Sequence, residues 1–175
     1  MPITPDDKDW TWVLATPCPE CGFDARHHPR ATLGSTIREN AVSWASVLRE
    51  PAVSMRTSGD RWSPLEYACH VRDVYRIFDG RLHMMLQTDN PTFENWDQDD
   101  TAQKERYDLQ DRFTVAAELT AAATTIAQHF DEVREEEWAR PGLRSNGSHF
   151  TVESLGTYLV HDPIHHLWDV RGPSS

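Results

Sequence analysis

No stretch of this sequence approaches eighteen consecutive apolar residues, so no membrane-spanning helix is expected. It opens without a charged-then-apolar signal pattern, and a cytosolic protein is expected. It has no Lys/Arg block, and its net charge of −11 repels phosphate, which disfavours nucleic acid as a partner. With only three cysteines, a disulfide framework is not expected in a reducing compartment. No convincing period-two alternation marks a strand. Helix formers outnumber β-branched runs, so the fold class is all-α. Apolar content is low at 38%, but seven Trp and six Phe compensate, because each aromatic buries a large area. The length of 175 residues suits one domain with a real core.

Residues 1–30 form a polar lead-in carrying Trp10, Trp12 and Cys18-Pro-Glu-Cys21-Gly22. Two thiolates on a tight turn are half of a zinc knuckle, and His27 with His28 could supply one further ligand. No second C-x-x-C follows. A redox pair would need a βαβ context that is absent, and simple packing of a capping segment also fits. Cys69, inside a helical pattern, reads as a small buried hydrophobe.

Four helices follow. Leu33, Ile37, Ala41, Trp44 and Leu48 make one apolar stripe over residues 32–49, closed by Pro51. Ser63, Pro64 and Glu66 form a capping box opening a second helix, whose core stripe runs from Ala68 to Met85. Residues 87–108 are a long acidic crossover that Phe93 and Trp96 would pin to the bundle, Trp96-Asp97 standing where they could line a pocket mouth. A calcium loop is excluded there, for want of the Gly and the terminal Glu. The third helix is expected over 108–133, with Leu109, Phe113, Ala116, Leu119 or Thr120, Ala123, Ile126 or Ala127, and Phe130 on its buried face. Residues 140–148 read as a turn-rich loop. The last helix runs from Thr151 to about 170, with Pro163 inside it expected to delete one hydrogen bond and kink the axis. Residues 172–175 are expected to be a disordered tail.

The chain centres on Tyr158-Leu-Val-His161-Asp-Pro-Ile-His165-His166. On a helix, His161 and His165 share one face and could grip one ion, although such pairs also occur on solvated faces. His70, on the second helix, is the candidate third imidazole. His166 points roughly 100° from His165 and is the fallback ligand if Pro163 shifts the register. Three imidazoles leave an ion with an open position and an uncancelled charge that can acidify a bound water or thiol, and they suit Zn, Ni or Fe. Tyr67, Asp73, Asp162 and Asp169 are candidates to support the ligands or to act as acid–base groups, Tyr67 and Asp73 foremost, although each acidic residue also fits plain helix surface.

An aromatic-bearing first helix, Trp62-Ser63-Pro64-Leu65 opening a helix with His70, a long crossover, and a final His161-x-x-x-His165 resemble the DinB/YfiT-like superfamily. The resemblance covers residues 31–171. It implies a four-helix bundle with a long crossover between helices 2 and 3, and a divalent metal on His70, His161 and His165. It further implies an enzyme of the thiol-transferase type, in which mycothiol, bacillithiol or another small thiol attacks a small-molecule electrophile, or a metal-hydroxide hydrolase. The alternatives are a non-catalytic, metal-stabilised bundle that binds a small molecule or protein in a stress response, and a plain helical homodimer whose histidines are incidental. The resemblance explains nothing of Cys18 and Cys21.

Overall fold

The computed structural model describes Ile3 and residues 9–172. Four long helices make the bundle: α1 (Leu33–Val47), α2 (Pro64–Gln87), α4 (Arg112–Asp131) and α5 (Val152–Arg171). α1 and α2 each pack against both α4 and α5. Trp44, Tyr75, Leu82, Leu119, Ile126 and Leu155 fill the space between them.

Local chemistry starts the helices where the sequence says. The Ser63 side chain accepts from the Glu66 amide, and the Glu66 carboxylate accepts from the Ser63 amide at 2.8 Å. Asp111 caps α4 and Thr151 caps α5 through the amides of Thr114 and Ser154. Because Asp111 is the cap, α4 begins at Arg112 rather than near 108, behind a 3-10 turn at Tyr107–Leu109. That corrects the start of the buried face expected for this helix, while the expected Leu119, Ala123, Ile126 and Phe130 are buried. Its stripe is Val115, Leu119, Ala123, Ile126 and Phe130, while Leu109 and Phe113 are 69% and 64% exposed. Phe113 lies two residues before Val115, about 200° round the helix.

The crossover is more structured than expected. It holds β1 (Thr92–Phe93), a short α3 (Gln98–Lys104) capped by Asp97, and that 3-10 turn. The segment read as a loop is a hairpin of β2 (Pro141–Arg144) and β3 (His149–Thr151), turning through Gly147 at φ +96. β1 adds in parallel to β2, giving a minor three-stranded sheet of order β1-β2-β3 beside an otherwise helical fold. Strands of two to four residues are too short to display alternation in sequence.

α5 runs unbroken through Pro163, whose missing amide leaves the Leu159 carbonyl without its helical partner. The helix closes at Gly172, at φ +76. The rest of the tail expected to be disordered, Pro173–Ser175, lies outside the described residues.

Candidate metal centre

α5 presents two overlapping i,i+4 pairs, His161/His165 and Asp162/His166. A step of one residue turns 100°, so the pairs face different neighbours. The structure sorts the expected ligands accordingly. His70 of α2 meets Asp162 and His166, whereas His161 and His165 meet Cys18 and Cys21. Within each group the donor atoms lie within 4.8 Å of one another. His70 therefore does not share a group with His161 and His165, and His166, expected only as a fallback, is its partner.

In the first group, His70 Nε2 lies 3.2 Å from Asp162 Oδ1. His70 is fully buried, stacked on Trp96 at 5.3 Å and tilted against Trp62. His166 Nδ1 sits 2.9 Å from Asp169 Oδ2, and its Nε2 is 3.7 Å from Asp162 Oδ1. An Nδ1–H donating to Asp169 leaves the Nε2 lone pair facing Asp162, the carboxylate–imidazole arrangement that orients metal-binding histidines. Burial works against the Asp162 carboxylate, but the imidazoles of His70 and His166 outweigh it and hold the group well below the usual carboxylate range. Two imidazoles and a carboxylate are a donor set that fits a divalent ion with positions to spare.

Asp162 and His166 line a cavity of about 600 Å³. Tyr67 also lines it, packed on His166 at 4.9 Å, and burial with Asp169 nearby pushes its phenol up to about 12. Asp73 does not line it. Its carboxylate accepts from Arg72, Arg76 and the Tyr107 hydroxyl, the last at 2.6 Å. Burial alone would raise the Asp73 carboxyl, but these donors hold it below its ordinary value. It serves to join α2 to the crossover. Arg81 and Arg144 face the cavity as well. Burial, with Arg144 nearby, brings the Arg81 guanidinium down to about 10.

In the second group, Cys18 Sγ lies 3.6 Å from His165 Nδ1, and the His161 and His165 rings are 5.2 Å apart. Burial brings His161 down to about 4 and pushes the Cys21 thiol up to about 12. Neither His27 nor His28 joins these cysteines, and His28 instead stacks on Phe23. A third group, Asp79, His83 and His129, lies apart from the cavity.

The sequence held a signal for the first group that the His-only pattern hid: Asp162-x-x-x-His166 is as good an i,i+4 pair as its neighbour. Nothing local in the sequence marked Arg81 or Arg144.

Fold and donor geometry together define a four-helix-bundle protein with clusters of side chains able to hold a metal ion gathered near one cavity. The chain belongs to the DinB superfamily, whose family model matches residues 6–170. Among solved structures it is similar to YfiT from Bacillus subtilis, described as a probable metal-dependent hydrolase with an unusual four-helix bundle topology. The two share 14% identity over 81% of this chain and 83% of that one, with a TM-score of 0.73. No curated protein matches the chain.

Proposed function

We propose that the protein is a metal-dependent enzyme whose ion is held by His70, Asp162 and His166 at the wall of the cavity. The observation that carries this reading is the His166 imidazole. One nitrogen is anchored on Asp169 and the other faces Asp162 and His70, beside a space large enough for a small molecule. A divalent ion on two imidazoles and one carboxylate supplies Lewis acidity to a water or a thiol at its remaining positions.

The protein's own groups do the rest. Asp169 holds His166 in one tautomer and also accepts from Arg61 at 2.9 Å. Trp96 and Trp62 shut His70 from water, which strengthens its interaction with Asp162. Tyr67, protonated through the neutral range, can donate a proton or hydrogen bond to a leaving group. Arg81 and Arg144 favour a substrate with a carboxylate or phosphate.

Hydrolysis is the first reading. The mixed histidine–carboxylate set is one that metallohydrolases use, and YfiT carries a hydrolase description. Transfer of a small thiol such as mycothiol to an electrophile is the second, favoured by the room beside the donors.

Elemental analysis of untagged protein, with zinc, nickel and iron supplied in turn, tests the site. His70→Ala and Asp162→Ala should each lose one equivalent of metal, along with activity on a panel of anionic esters and amides. Conjugation of a thiol to a generic electrophile, without hydrolysis, would select the second chemistry. Full metal retention in both variants would overturn the proposal.

A further inference from the structure

We infer that Cys18, Cys21, His161 and His165 form a second, closed zinc site that staples the N-terminal segment onto α5. Four donors from two parts of the chain converge, Cys18 and His165 being 147 residues apart in sequence. Cys18, His161 and His165 are at most 7% exposed.

The donor orientations match ligation. The His161 Nε2 atom is buried with no hydrogen-bond partner, a costly state for a polar atom unless something else meets it. His165 has carboxylates on its Nε2 side, Glu20 at 3.5 Å and Asp169 at 3.9 Å, and turns Nδ1 toward the Cys18 sulfur. The carboxylates stand beside Nε2 and leave Nδ1 as the nitrogen aimed at the sulfur. The cysteines sit on a tight turn: the Cys18 amide donates to the Phe23 carbonyl, the Gly22 amide donates to the Cys18 carbonyl, and Gly22 takes φ +75.

Two thiolates and two imidazoles are a tetrahedral set suited to zinc, and four protein donors leave no open position. The two thiolate charges cancel those of the ion, so the filled site is neutral and tolerates burial. The site's role is then architectural. Trp10 packs on His161 at 5.5 Å and on His165 at 5.0 Å, and it lines the cavity. Holding the knuckle on α5 holds that wall of the cavity in place.

Cobalt substitution tests the inference, because a sulfur-to-cobalt charge-transfer band appears only if thiolates bind the ion. Untagged full-length protein loaded with Co(II) should show the band. His70→Ala and Asp162→Ala should keep it, and Cys18→Ser/Cys21→Ser should lose it. The first pair separates this site from the proposed catalytic one, so either can fail alone. If the cysteine variant does not fold, wild-type protein still decides. Alkylation of Cys18 and Cys21, and proteolysis within residues 9–30, should each accelerate at least about tenfold when zinc is chelated. No charge-transfer band, thiols equally reactive with and without zinc, or a Cys18–Cys21 disulfide in freshly purified protein would overturn it.

Discussion

Asp169 is the residue on which both donor groups lean. One of its oxygens lies 2.9 Å from His166 and 3.9 Å from His165, and Arg61 binds the other. Asp169→Asn should keep the shape but lose the charge that orients His166, and weaken metal binding at the first group about 10–100-fold. Competition against a chelator of known affinity measures it. Glu66 gives a pH prediction. Burial alone would raise its carboxyl, but the Arg56 guanidinium and the Ser63 amide outweigh burial and hold it below the ordinary glutamate value. A carboxyl depressed in the folded state adds stability that is present above the ordinary value and lost as pH falls through the folded value. Glu66→Gln should therefore cost about 1–2 kcal/mol at neutral pH. That difference should shrink in acid, as urea denaturation at several pH values would show.

Among the elements, α5 carries most of the consequence. Its Gly156 lets α1 and α4 approach closely, since a Cβ there would stand 2.5 Å from Leu33 Cδ1 and 2.9 Å from Phe130 Cε1. Gly156→Ala gains about 1 kcal/mol of helix propensity but should lose more to overpacking, about 1–3 kcal/mol. A net fall in Tm, with helical circular dichroism unchanged, is the expected result. A rise would mean that Leu33 and Phe130 move aside easily. The helix starts were legible because caps are local: Ser63 with Glu66, and Thr151. Capping chemistry at Asp111 is equally local, yet the apolar Leu109 and Phe113 drew the expected helix start too early.

For the molecule as a whole, the crossover decides how the cavity is walled. Phe93 is buried against Phe150, with Arg81 over its ring at 5.0 Å, and the Trp96 that covers His70 lies three residues on. Phe93→Ala should cost about 3 kcal/mol, or about 6–12 °C in Tm for a chain of this size. It should also speed amide exchange across residues 88–108 before the four long helices exchange. Uniform exchange across the chain would show that the crossover and bundle unfold together.

The sequence by itself determined the four long helices, the long crossover, the tight turn at Cys18–Cys21 and the clustering of imidazoles on the last helix. Each depends on residues within a few positions of one another: a 3.6-residue period, a cap, a C-x-x-C-G turn, an i,i+4 spacing. Only the tertiary structure decided which donors meet. Whether His161 or Asp162 faces His70 depends on the rotation of α5 about its own axis, and one residue changes that by 100°. The packing of Leu33 and Phe130 around Gly156 sets that rotation, together with the docking of Trp10 and Phe23. No local spacing encodes it. The small sheet was hidden for a related reason, because its strands exist only through pairing across the chain.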